Sequence, residues 1–436
     1  MTPALRVDPR LRVLYLVAVA VGVFFLRELW QIGALLAVQG VLWIVVDLPP
    51  RRLLRQLVKL WGFALFILAS YAFTAEDPST DRWVRVEVAG VGAPVNVAGA
   101  LLGVVMILRV MTVVLASQVA RAGDARAIAA GLGKLGLPTL PAASIDAVLA
   151  LLGGAGGLGR GGGGGGRRRR AEEAGGEPGE GFWAGLKRLG RGDVEPLIRR
   201  IEDQIARAER HAEEHGIEAH RAKEPDAIEG PADAASRAAS IERRRFVVRE
   251  VGVISGVALT MLGIKALKIL PSIPFAPGHK LVLLTPLYVV ARLLSRSRFG
   301  ATLTGLAMGT AAFLLGDGRY GIFEVLKHVT PGLLCDLIVP LVLWGGRRPG
   351  AIGWSVIGGV IAVGRFATIF VVTLSVQAPA VAWAFLVPGM TVHVTFGVLS
   401  GYVTHHMVRA VLRTRETRET REAREARDAM REKEAT

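Results

Sequence analysis

Three residues of different chemistry share one short stretch: Glu324, Lys327 and His328 recur at i, i+3 and i+4, so a helix would present an acid, an amine and an imidazole on one face. The stretch lies in an otherwise apolar run, where ionisable side chains are costly and default to function. The same face also reads as a Glu324–Lys327 ion pair that satisfies itself, and both readings stand at this level. His393 sits in the middle of a later apolar run, where a lone histidine serves either as a ligand contact or as a hydrogen-bonded packing residue. His279 and Lys280 border a short polar break between two runs. Together these six are the candidate substrate-binding residues, while Asp336 and Arg365 are read as structural or interfacial partners.

Other chemistries are absent from the pattern. The run GRGGGGGGRRRR from Gly159 to Arg170 invites a phosphate-loop reading, but no Gly-Lys-Ser/Thr follows it and no strand precedes it. The chain therefore has no visible ATPase site of its own. Glu324-Val-Leu-Lys-His328 lacks the second histidine that the HExxH zinc site requires, and no G-x-S-x-G elbow occurs. The single cysteine, Cys335, excludes an internal disulfide and a cysteine-based zinc centre. No catalytic constellation, resident cofactor or metal site is expected.

The elements that must hold these residues are helices in lipid. Of 436 residues, 51% are hydrophobic and only 6% aromatic, and mean hydropathy is +0.42. Apolar runs approach the roughly 20 residues that a membrane crossing needs. They lie near 11–28, 31–48, 60–75 and 97–117, and again near 249–270, 279–295, 299–316, 321–344, 351–375 and 381–408. The net charge of +16 falls between the runs and not evenly along the chain, so it reads as topology; without a stacking platform or binding motif, nucleic acid is not an expected partner. With a cytoplasmic N-terminus, Arg51, Arg52 and Arg55, the long polar stretch, Arg296 and Arg298, Arg347 and Arg348, and the tail from Arg409 all face inward, whereas Glu76, Asp77 and Asp81 face outward. Every short loop agrees with that orientation. The first run lacks a small-residue cleavage site and is read as a retained span.

The fold expected is thus all-α and polytopic, with about ten spans divided four and six. The divisions are 1–117, a four-span membrane domain; 118–247, a cytoplasmic helical insert with a low-complexity Gly/Arg linker at 153–181; 248–410, a six-span domain; and 411–436, a charged helical tail. Within the insert, 124–152 reads as two short helices, with Asp124 as an N-cap and the Leu135-Gly-Leu-Pro138 break between them. Residues 193–222 read as a charged helix with Ile198, Ile201, Ile205 and Ala208 at helical spacing. The tail from Arg415 repeats Arg–Glu pairs at i, i+4 with no apolar seam, which describes a solvated single helix. Three outward loops, near 271–280, 316–321 and 376–382, converge on the end of the six-span half that carries Glu324.

The first half resembles the transmembrane (T) component of energy-coupling factor transporters. Ala127-Ile-Ala-Ala-Gly-Leu-Gly-Lys-Leu-Gly-Leu-Pro138 is similar to that family's coupling segment, preceded by a span bearing Arg109, and Arg207-Ala-Glu-Arg-His-Ala-Glu-Glu-His-Gly216 is similar to its second coupling helix. The resemblance assigns ATPase coupling to Leu135, Gly136, Leu137, Pro138, Arg160, Arg207, His215 and Gly216. The family's Ala-Arg-Gly signatures correspond here to Gly159-Arg160-Gly161 and Glu214-His215-Gly216, and its last T-component span is not evident. The second half looks like a substrate-binding (S) component. It has six spans, SRFGATLTGLAMG from Ser297 and HVTPGLLCDL from His328, and Gly252 and Gly256 form a small-residue face of the kind such components dock with. The resemblance implies a permease subunit of an energy-coupling factor importer in the cytoplasmic membrane, with both termini inside. It implies separate ATP-binding subunits that supply ATP and magnesium, and a micronutrient substrate, vitamin-like or metal. A membrane scaffold or regulator, and an intramembrane enzyme using Glu324, His328 and Asp336, are the alternatives.

Overall fold

A computed structural model describes residues 7–73, 81–88, 91–124, 126–154, 191, 193–221, 233–266, 281–315, 321–346, 348–376 and 379–435. The chain opens with α1 (Pro9–Gly22), α2 (Leu29–Val45) and α3 (Pro50–Ala72), then a two-stranded antiparallel hairpin, β1 (Trp83–Val88) and β2 (Val91–Asn96), and α4 (Val97–Ala120). The short α5 (Ala127–Lys134) and α6 (Thr139–Gly154) follow, then α7 (Glu195–Arg221) and the long α8 (Asp233–Ala266). The remainder comprises α9 (Leu281–Leu294), α10 (Gly300–Leu314), α11 (Glu324–Val342), α12 (Ala351–Val376), the short α13 (Pro379–Ala384) and α14 (Leu386–Ala435). The expected all-α class holds, with the hairpin as a small addition.

Local chemistry explains the starts and turns. Asp8 accepts from the Arg10 N–H ahead of Pro9, which opens α1. Asn96 closes the hairpin onto α4: its Oδ1 accepts from Gly99 N–H at 3.1 Å and its Nδ2 donates to Asp81 at 2.6 Å. Asp124 accepts from Arg126 N–H at 2.8 Å just before α5. Gly136, between α5 and α6, has φ +97, a conformation that side chains with a Cβ avoid.

Among the described residues, five helical segments are long and apolar enough to cross a membrane: Val97–Ala120, Ala239–Lys265, Glu324–Val342, Ala351–Ser375 and Leu386–Thr414. Four apolar helices are shorter, among them α2, α9 and α10. The apolar run near 11–28 ends its helix at Gly22 because the chain turns there, and Arg109 Nη2 donates to the Leu26 carbonyl at 2.6 Å to hold the turn. α3 opens on Arg51, Arg52, Arg55 and Lys59, which lower its hydropathy. Stripes of exposed apolar side chains, such as Ile352, Val356, Val360 and Val363 on α12, are what a helix turned toward lipid carries.

Small residues bring the helices together. α12 and α14 pack antiparallel with Gly358 against the Gly397 carbonyl and Gly401, and a Cβ at Gly401 would lie 2.0 Å from the Trp354 oxygen. α10 and α11 meet through Gly305 and Gly332 in the same way. One buried cluster runs from Val13 and Val113 through Ile145, Ile201 and Ile254 to Leu287, Met308 and Met407, so both halves of the chain share a core. Helix boundaries also cross the composition boundaries. α8 begins at Asp233, within the polar stretch, because Ser236 to Glu250 is rich in helix formers, and α14 continues unbroken into the charged tail.

Candidate functional site

The first turn of α11 places Glu324 in the core with its carboxylate buried. Its Oε1 receives Lys327 Nζ at 2.7 Å and Lys265 Nζ, from the end of α8, at 3.3 Å. His328 Nε2 lies 3.4 Å from the same oxygen. His328 Nδ1 is 2.9 Å from Tyr288 Oη on α9, which fits a ring that carries its proton on Nε2 toward the carboxylate and accepts from the phenol. Glu324 Oε2 has no hydrogen-bond partner among the described residues. Arg365 on α12, 5% exposed, is near enough to act electrostatically on Tyr288, Lys327, His328 and His393.

Sequence spacing therefore brings Glu324, Lys327 and His328 together as expected for one helix face, and the fold adds Lys265, Tyr288 and Arg365. Lys265 was legible as a lysine inside the apolar run near 249–270, the same signal that singled out Glu324. His393 on α14 is buried; its Nδ1 donates to the Gly389 carbonyl at 2.8 Å and its ring packs on Phe366, centroids 5.1 Å apart. It belongs to the α12–α14 interface, where Phe366 follows Arg365 in sequence, and its Nε2 has no partner among the described residues. His279 and Lys280 lie outside the described residues.

Asp336, about three turns beyond Glu324 along α11, accepts from Ala301 N–H at 3.1 Å, Thr302 N–H at 2.8 Å and Thr302 Oγ1 at 2.6 Å, with Arg292 Nε at 3.6 Å. Glu250 on α8 does the same for the α9–α10 turn through Ser295, Arg296 N–H and Ser297 N–H. Both carboxylates hold helix starts and turns and do not reach the Glu324 cluster.

The second assembly is the face of α8. α7 lies antiparallel along it with Ile198, Ile201 and Ala208 buried. A Cβ at Gly256 would sit 2.6 Å from the Ile205 Cα, and one at Gly252 would sit 2.2 Å from the Glu209 Cγ. α6 joins the same face, where Ser255 Oγ donates to the Ser144 carbonyl at 3.1 Å. Arg199, Glu202, Asp203, Arg207 and Arg210 point away from α8 into the surroundings. Leu135 is exposed on the turn that Gly136 makes, with Leu137 and Pro138 leading into α6. Arg126 clamps α5 to α6 through a two-point contact with Asp146, at 2.9 and 2.5 Å, and this partner raises the guanidinium above its ordinary pKa. His215 and Gly216 are helical positions of α7, and Arg160 lies outside the described residues. Among the described residues no group of three His, Cys, Asp or Glu is placed to hold a metal ion.

No protein-family model, no curated protein and no solved structure matches the chain. The all-α fold, the apolar helices long enough to span and the lipid-like exposed stripes define it as a membrane protein.

Proposed function

We propose that the chain is the permease subunit of an energy-coupling factor importer, a T-like half fused to an S-like substrate-binding half. The reading includes about ten spans in the cytoplasmic membrane, with both termini inside. The carrying observation is the seat of α7 on the glycine face of α8. α7 exposes Arg199, Glu202, Asp203, Arg207 and Arg210, so its outer face requires water. α8 is apolar enough to span, yet one side of it is covered by this water-facing helix and by α6. A span with that covering sits at the membrane boundary, free of lipid on one side. Such a seat suits a substrate-binding module mounted on coupling helices, and it is what supports this reading.

The Glu324 cluster is the capture site in this reading, buried among α8, α9, α11 and α12 and bordered in sequence by the segments 267–280 and 316–320. Leu135 to Pro138 and Arg207 present the surface for ATP-binding subunits. Fusion of the halves keeps their effective concentration high without a separate binding step.

The test is purification of the full chain from its native membrane. Recovery with stoichiometric ATP-hydrolysing subunits, lost on Leu135→Asp with Arg207→Glu, is the expected result. A folded chain that recruits no ATPase overturns the importer reading in favour of a membrane scaffold. Substrate turnover by the isolated chain without nucleotide overturns it in favour of an enzyme.

A further inference from the structure

The hairpin between α3 and α4 has two unlike sides. In β1, Val84 and Val86 point to one side, and Arg85 and Glu87 point to the other. The register sets Val95 opposite Val84 and Ala93 opposite Val86, so the first side is apolar on both strands. On the second side Arg85 pairs with Pro94, and its guanidinium lies across Gly92, where an added Cβ would come within 2.8 Å of its Nε. Val84 and Val86 are 50% and 41% exposed, so the protein leaves the apolar side uncovered. A two-stranded hairpin is marginally stable by itself in water, and an apolar side left in water adds to that cost.

The place of the hairpin in the fold says what covers that side. β2 ends at Asn96 and α4 begins at Val97. Val97 N–H donates to the Arg82 carbonyl at 2.8 Å, and Asn96 ties Asp81 to Gly99, so hairpin and helix are joined without a slack residue. α4 has 24 residues and is apolar enough to span. At 1.5 Å per residue it is about 36 Å long, more than the hydrocarbon thickness of about 30 Å, so its first turn sits at the headgroup boundary and holds the hairpin there. The adjoining surface is already of the kind that faces lipid: Phe73 at the end of α3, and Val97 and Leu101 on α4, are exposed apolar side chains. Trp83 is also exposed and pairs with Asn96 at the base, the level at which tryptophan gathers in membrane proteins. The sheet has two strands, so among the described residues the outer edge of each lacks a ladder partner. Hydrocarbon does not tolerate such edges, whereas water and headgroups satisfy them. We infer that the hairpin is an interfacial anchor whose partner is the lipid surface. It lies flat on the bilayer at the Val97 end of α4, with Val84, Val86, Ala93 and Val95 toward the acyl boundary and Arg85 and Glu87 toward water, and it fixes the depth of α4. The inference does not depend on the importer reading.

The experiment attaches a nitrobenzoxadiazole fluorophore to the full-length chain through Val84→Cys, Arg85→Cys, Val86→Cys or Glu87→Cys, one at a time. The native Cys335 is fully buried, and the unsubstituted chain gives the background. The protein is placed in phosphatidylcholine vesicles that carry a nitroxide quencher either beside the headgroup or at the end of the acyl chain. Val84→Cys and Val86→Cys should emit at shorter wavelength than Arg85→Cys and Glu87→Cys, and the shallow nitroxide should quench them more than the deep one. Arg85→Cys and Glu87→Cys should instead be quenched by aqueous iodide. Should a variant fail to fold, Val95→Cys replaces Val84→Cys and Pro94→Cys replaces Arg85→Cys, because each lies on the same side as the residue it stands for. Water-like emission at Val84 and Val86 that neither nitroxide quenches overturns the anchor and leaves a hairpin standing clear of the bilayer. Short-wavelength emission that neither nitroxide quenches overturns it in favour of a protein cover, a second copy or another chain. Equal behaviour on both sides, or stronger quenching by the deep nitroxide, overturns it as well.

Discussion

Replacing Gly256 tests the seat of α7 on α8. A Cβ built there meets the Ile205 Cα and backbone N at 2.6 Å. Carbon atoms pack at about 3.5–4.0 Å, so even alanine forces the α7 backbone outward by about 1 Å, and leucine forces it further. Overpacking of this kind costs about 1–3 kcal/mol. Gly252 provides the contrast, because its added Cβ meets the side chain of Glu209 and not a backbone; Gly252→Ala should cost about 1 kcal/mol or less, the price of moving one side chain to another rotamer. α7 and α8 are consecutive helices, so a cut in the 153–181 linker would leave them on one piece. Hydrogen exchange of the intact chain is the sharper assay. Amides of residues 195–214 should exchange about tenfold to a hundredfold faster in Gly256→Leu, as expected if local opening becomes easier by that free energy. Those of α12 and α14 should not change. Unaltered protection of α7, or an equal loss across α12 and α14, would refute the argument that close approach at Gly256 seats α7.

Three further expectations concern other parts of the chain. Asp336→Asn removes the charge that accepts from Ala301 and Thr302 and faces Arg292; it should destabilise the protein by about 2–3 kcal/mol in thermal unfolding, and an unchanged midpoint would deny that the carboxylate holds the start of α10. Arg126→Ala breaks a contact whose side chains are 39% and 26% exposed, so the expected loss is below about 1 kcal/mol, and a larger drop would mean the clamp does more than join α5 to α6. With cysteine placed at each position, labelling of intact cells from outside should fail at Gly163 and succeed at Pro78, because basic residues mark the inward loops; the opposite pattern would reverse the topology.

Periodicity carried much of the helical skeleton, because a helix in lipid announces itself by composition. Runs near 97–117, 351–375 and 381–408 became α4, α12 and the first part of α14, and Ile198, Ile201 and Ala208 do line one buried face of α7. Turns were harder to read. Nothing in the run near 11–28 says that its helix stops at Gly22, since the stop depends on Arg109, more than eighty residues later, reaching the Leu26 carbonyl. The hairpin was missed although Val84, Val86 and Val88 alternate with Arg85 and Glu87, the period of a strand; the stretch 76–96 between two apolar runs reads as loop when each run is weighed only for its power to span.

The Glu324 cluster divides along the same line. Glu324, Lys327 and His328 are neighbours on one helix, so local spacing sufficed to group them. Lys265, Tyr288 and Arg365 come from three other helices, and their convergence is a product of packing that only the fold supplies. That convergence alters the chemistry as well as the membership. Read locally, Glu324 and Lys327 form a neutral pair, and removing the lysine would strand an acid. Read in the fold, Glu324 Oε1 receives two lysines, and Lys265 remains to hold it when Lys327 is gone. A buried ionisable residue is thus located by sequence, but its role is set by the groups that other helices deliver to the same place.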